Sequence, residues 1–201
     1  MAYSDFTLQK VKSNFNLITE ENLDLFAEVQ PISPSELLSQ TLKETIPLVS
    51  AINTEKARSE LIITPILLEV RRQLNYQISL FSGIDFNVDT QKGLSGFCDF
   101  ILTKSTEQYF ISSPVVTIVE AKNENIKIGL GQCAAEMIAA QIFNQQESSE
   151  IKAIYGAVTT GVAWKFLKLE GETIFIDLND YYIKEVSKIL GILSFTFGNQ
   201  S

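Results

Sequence analysis

The chain has 201 residues and a net charge of −8, from 16 Lys and Arg against 24 Asp and Glu. That is enough for one domain with a core needing no disulfide or metal staple, and too acidic to coat duplex DNA by bulk charge. There is no histidine, which excludes Ser-His-Asp and Cys-His nucleophile systems, HExxH zinc hydrolases, haem ligation through imidazole and any nuclease or phosphatase with an imidazole base. Acid–base work then falls to carboxylates, Lys, Tyr or Cys. Two cysteines, Cys98 and Cys133, cannot build a zinc site or a disulfide framework. The N-terminus lacks an apolar h-region, and no apolar run approaches the length of a membrane span. A reducing cytoplasm, free thiols and no membrane partner are the expectation.

Residues 1–25 show no clear period, but Phe6, Leu8, Phe15, Leu17 and Leu23 can anchor a strand or short helix. Ser33-Pro34-Ser35-Glu36 predicts a helix start, with Ser33 as N-cap, Pro34 at the first helical position and Glu36 closing a capping box. Leu37, Leu38, Leu42, Ile46 and Val49 then share a face, and Pro47 limits or bends the helix. A second helix runs from Asn53-Thr54 to about Leu74. Its stripe is Ala57, Leu61, Leu68 and Leu74, widened by Ile62, Ile63 and Ile66, and Pro65 kinks or splits it. Glu60 lies near the inner edge of that stripe.

Period-two patterning then predicts strands over 76–88, with a bulge or bend at Ser82-Gly83, and over 94–103, joined by a turn from Asp89 to Gly93. Residues 115–122 (VVTIVEAK) are nearly all apolar, as a strand buried on both faces requires. A loop through Ile128-Gly129-Leu130-Gly131 opens a helix from Gln132 to about Phe143. Strands follow at 151–160, 162–169 and 173–178, and Asn179-Asp180 caps a last helix ending near Leu193. This order predicts an α/β fold with a mixed central sheet flanked by helices. It forms a single domain: 1–52 an N-terminal helical extension, 53–178 the core, 179–201 a C-terminal helix and tail.

The buried strand ends in Glu120-Ala121-Lys122. Alternation puts Glu120 and Lys122 on one face. On the strand before it, Phe97, Asp99 and Ile101 share one face, and Cys98, Phe100 and Leu102 the other. If the two strands are neighbours, Asp99 stands beside Glu120. Two close carboxylates raise each other's pKa, and a hard dication such as Mg²⁺ or Mn²⁺ relieves that repulsion. Lys122, on the same face, suits the orientation of a water or the stabilisation of developing phosphorane charge.

Asp99 followed by Glu120-x-Lys122, with a glutamate-bearing helix upstream and a helix downstream, resembles the PD-(D/E)xK (restriction-endonuclease-like) nuclease superfamily. The stretch GFCDFIL…VVTIVEAK…GQCAAEM looks most like the nuclease part of type I restriction R subunits and related stand-alone bacterial proteins. The resemblance covers roughly residues 55–165. It implies a restriction-endonuclease-like fold, with Asp99 and Glu120 as metal ligands, the Ala121 carbonyl completing the set, Glu60 assisting and Lys122 as the catalytic lysine. Gln132 matches the glutamine of a Q-x-x-x-Y pattern on the trailing helix. Cys98 replaces the motif's proline, and Glu136 stands where the tyrosine is expected.

The resemblance thus implies a Mg²⁺-dependent (or Mn²⁺-dependent) nuclease hydrolysing DNA, and the acidic net charge predicts weak intrinsic affinity, with delivery through a local basic groove, a homodimer or a partner subunit. A catalytically silent nuclease-fold protein serving as a binding or assembly module is the alternative, and an enzyme for a small phosphorylated molecule a third reading.

Plainer readings stand beside these. Glu60 can pair with Lys56, Glu69 with Arg72 or Gln73, and Gln132 can merely cap its helix. Gly129 and Gly131 can cradle a phosphate, but no Lys-Ser/Thr follows, which excludes a P-loop. Cys98 and Cys133 suit a core, as do Trp164, Phe166 and Leu167. The basic groups Lys10/Lys12, Lys56/Arg58, Arg71/Arg72 and Lys165/Lys168 either converge on a groove or are solvated separately.

Overall fold

A computed structural model describes residues 2–198; Met1 and the last three residues of the expected tail lie outside it. The predicted α/β class with a mixed central sheet flanked by helices is what the chain forms. The elements are α1 (Leu8–Phe15), β1 (Ile18–Glu20), α2 (Glu36–Ile52), α3 (Glu55–Arg58), α4 (Thr64–Gln73), β2 (Ser79–Asp85), β3 (Phe97–Thr103), β4 (Val115–Ala121), α5 (Ile126–Gln146), β5 (Ile154–Thr159), β6 (Ala163–Glu170), β7 (Thr173–Ile176), β8 (Tyr181–Tyr182) and α6 (Val186–Gly198). The strands make one sheet in the order β1-β7-β6-β5-β4-β3-β2, with β8 also paired to β6. The pairs β1–β7 and β4–β5 are parallel and the rest antiparallel.

Apolar clusters lie on both sheet faces. One joins α2, α4 and α6 to the sheet through Leu38, Ile66, Phe100, Val119, Trp164 and Leu190. The other packs α5 and the N-terminal segment through Tyr3, Phe6, Ile101, Ile118 and Met137. All seven residues of β4 are buried, as a strand between two helical layers requires. The N-terminal extension is more than helical, because β1 completes an edge of the sheet. Tyr3 and Val11 are buried there, whereas Leu23 is exposed.

Several boundaries differ from the sequence expectation for physical reasons. The α2 N-cap is Ser35, not Ser33: its Oγ accepts from the Leu38 amide, and its own N–H and O–H both donate to Glu69. Glu69 also meets Arg72 and Gln73, as its spacing suggests. Leu37 consequently faces solvent. Between α3 and α4, Ser59–Ile63 forms a π-turn, followed at once by Pro65 in the first turn of α4. Such a turn admits one extra residue and shifts the inward face by one position. Ile62, Ile63, Ile66, Leu67 and Val70 are therefore buried, while Leu68 is exposed. The strand expected from 76 begins at Ser79, because Asn75 and Tyr76 both take positive φ in the turn leaving α4.

The expected loop at 128–131 is instead part of α5, which begins at Ile126 under an Asn125 cap. Its glycines serve close packing. A Cβ on Gly131 meets the Thr7, Phe6 and Leu8 backbone at 2.4–2.6 Å, and one on Gly129 meets Val158 Cγ1 at 2.6 Å. Before α6, where a helix cap was expected, Tyr181–Tyr182 pairs with β6 as a short strand.

Candidate active site

The site stands where β3 and β4 run side by side. Their register pairs Phe100 with Val119 and Ile101 with Ile118; one step further, it sets Asp99 opposite Glu120. Opposed residues on antiparallel strands share a face, here the face covered by α5. The Ala121 N–H donates to Asp99 Oδ2 at 2.8 Å, which fixes the aspartate against the last residue of β4. Cys98 packs with Ile101 rather than with Phe100 and Leu102, departing from simple alternation. On β2, Gly83 takes a φ of +60° between Ser82, paired with Phe100, and Ile84, paired with Cys98. The pairing keeps its register there, so the bulge that the Ser82-Gly83 pattern allowed does not form.

The Lys122 ammonium donates to Glu120 Oε1 in a close ion pair and to Gln132 Oε1 at 3.3 Å. Gln132 Nε2 in turn donates to Glu136 Oε1 at 3.1 Å. Gln132 is thus no helix cap: it sits inside α5 and orients the lysine. Asp99, Glu120, Lys122 and Gln132 line one cleft of about 390 Å³, with Ala2, Tyr3, Ser4, Glu55, Gly96 and Phe97 as the remaining walls.

The electrostatics follow from burial. Glu120 is 1% exposed. Burial and then the Asp99 charge push its carboxyl up to about 8, against the pull of Lys122. Glu136, fully enclosed, is raised as well, by burial and then by Glu120. For Lys122, burial disfavours the charged form, but the Glu120 carboxylate outweighs it and the net direction is upward. Cys98 and Cys133 are buried thiols raised chiefly by burial, so the reading of both as small core side chains holds.

One sequence-predicted residue is not brought in. Glu60 is exposed and meets Lys56 at 3.7 Å. The π-turn is the reason: after Ala57, the inward positions pass to Ile62 and Ile63, and Glu60 is turned to solvent. Glu55, in the first turn of α3, is the helix carboxylate that lines the cleft, and its charge acts on Glu120 and Lys122. Its only sequence signal is the Thr54-Glu55 helix start. Phe97 and the N-terminal residues Ala2 to Ser4 were also missed as site components.

The donor set fits a hard dication. Glu120 Oε2 is buried without a hydrogen-bond partner, beside a second carboxylate that disfavours its charge. Among the described residues no three His, Cys, Asp or Glu side chains gather into a metal-holding group. Two carboxylates with the Ala121 carbonyl leave the other positions to water and phosphate oxygens, the usual arrangement for Mg²⁺.

Most of the basic groups do not converge. Lys165 pairs with Asp180, Lys168 with Glu170 and Arg72 with Glu69, and Lys10 donates to the Asp5 carbonyl. Arg71 donates to the Ile78 carbonyl. Arg58 spends its guanidinium on Asn123 Oδ1, the Thr160 carbonyl and Asn53 Oδ1, bracing the loop after Lys122. Trp164, Phe166 and Leu167 are core. Among the described residues no helix is long and apolar enough to cross a membrane. Comparisons of the chain with protein-family models, curated proteins and solved structures find no match.

Proposed function

We propose that the chain is a Mg²⁺- or Mn²⁺-dependent phosphodiesterase that hydrolyses DNA. The observation that carries this reading is the convergence of Asp99, Glu120, Lys122 and Gln132 on one cleft, with an unpartnered buried carboxylate oxygen on Glu120. Asp99, Glu120 and the Ala121 carbonyl would hold the ion. A bound dication supplies charge that polarises a phosphoryl oxygen and screens the two carboxylates from each other.

Lys122 sets its ammonium beside the phosphate, where it orients the attacking water and stabilises charge developing on the phosphoryl oxygens. Gln132 holds that ammonium in place, and the Ala121 amide holds Asp99. Water oxygen bonds to phosphorus, the bond to the 3′-oxygen breaks, and the water's proton passes to the leaving oxygen. The resemblance to the PD-(D/E)xK superfamily supports the same roles.

The test is DNA hydrolysis with Mg²⁺ or Mn²⁺ by the wild type, Lys122→Ala and Asp99→Ala, with thermal melting as a fold check. Lys122→Ala is expected to lower turnover by roughly 10²- to 10³-fold, and Asp99→Ala to abolish the stabilisation that Mn²⁺ gives the wild type. A wild type as inert as a folded Lys122→Ala variant on both plasmid and single-stranded DNA overturns this reading in favour of a binding or assembly module.

A further inference from the structure

Phe97 is unexplained by packing. It opens β3 with 66% of its surface exposed, whereas Cys98, Phe100, Ile101 and Leu102 after it are buried. It lines the same cleft as Asp99, two residues along the strand, a rise of about 7 Å that one nucleotide can span between phosphate and base. A neighbouring wall is fixed. The Tyr3 N–H donates to the Ser95 carbonyl at 3.1 Å, its hydroxyl donates to the Phe86 carbonyl at 2.6 Å, and its ring closes on Gly96. A cleft of about 390 Å³ is the size of a small-molecule pocket, enough for a single nucleotide unit.

Charge points the same way. A duplex carries about twice the charge per unit length of a single strand, and this chain has a net charge of −8, with most basic side chains bonded within the chain. Affinity drawn from phosphates alone is therefore small, and base stacking on an aromatic face supplies a term independent of basic surface.

Resting on the nuclease reading above, we propose that the substrate is single-stranded DNA and that Phe97 stacks the base of the nucleotide whose phosphate sits at Asp99, Glu120 and Lys122. The residue sets specificity and takes no part in the chemistry.

The experiment measures binding by fluorescence anisotropy, with Ca²⁺ in place of Mg²⁺, to a short labelled single strand, its duplex and an abasic strand of equal length. Phe97→Ala is expected to weaken the single strand by about 5- to 150-fold, the range for one stacked base, to leave the abasic strand unchanged, and to be rescued by Phe97→Trp. Because Phe97 is exposed, these variants are expected to melt with the wild type. Equal binding of strand and duplex, or equal loss on normal and abasic strands, or no effect of Phe97→Ala, overturns the proposal. Hydrolysis abolished by Lys122→Ala but indifferent to Phe97→Ala sinks this inference alone. Strand binding sensitive to Phe97, without hydrolysis of any DNA, sinks the nuclease reading instead.

Discussion

Glu120 and Glu136 are two carboxylates enclosed on one side of the sheet, each with an oxygen lacking a hydrogen-bond partner. Both are shifted upward in the folded chain, Glu120 to about 8. A carboxyl whose folded pKa exceeds its unfolded value stabilises the fold fully below the unfolded value and loses that contribution as pH rises through the folded one. The wild type with chelator is therefore expected to melt at falling temperature as pH is raised from about 5 to about 8. With no histidine in the chain, the usual side chain titrating in this window is missing. Glu136→Gln removes one of the two groups and is expected to flatten the slope, and saturating Mn²⁺ to flatten it by screening Glu120. Differential scanning fluorimetry across this range is the check; a melting temperature that climbs with pH overturns the assignment. The sequence offered Glu120 as a charged residue closing an apolar strand. It did not reveal that Glu136 is enclosed, because a glutamate in an alanine-rich helix reads as solvated.

At the scale of elements, the strands that carry chemistry were the most legible. Seven consecutive buried residues in β4 leave an apolar run that only a central strand explains, and alternation then fixes Glu120 and Lys122 on one face. The helices were legible in existence but not in phase. The π-turn at Ser59–Ile63 adds a residue that no apolar period announces, so the stripe read as Ala57, Leu61, Leu68 and Leu74, widened by Ile62, Ile63 and Ile66, takes in the exposed Leu68 and leaves out the buried Leu67 and Val70. Glu60 lies inside that turn and faces solvent, while Glu55, ahead of it in the first turn of α3, lines the cleft. By the same logic, Glu60→Ala is expected to leave Mn²⁺ affinity unchanged. Glu55→Ala is expected to weaken it by about two- to fivefold, the size of an exposed charge–charge term. Isothermal titration of both variants decides the matter, and a larger loss for Glu60→Ala restores the sequence expectation.

The whole molecule sets a constraint that no single element shows. The composition announces a net charge of −8, but only the fold shows that Lys10, Arg58, Arg71, Arg72, Lys165 and Lys168 turn to partners within the chain. Sequence could not decide between a converging basic groove and separate solvation, since that depends on how β6, α4 and the N-terminal segment lie around the sheet. Those six side chains are then less free to displace counterions from a bound strand. For single strands the slope of log K against log salt is about −0.7 per phosphate neutralised. On the nuclease reading, if Lys122 and one further cation engage phosphates, the slope is expected between about −0.7 and −1.4. Anisotropy titrations over a KCl series at constant Ca²⁺ give this number directly. A slope steeper than about −3 means that several phosphates are neutralised at once, more than Lys122 and one further cation supply. The expectation of a homodimer or basic partner subunit would then replace that of a monomer held to DNA mainly by stacking.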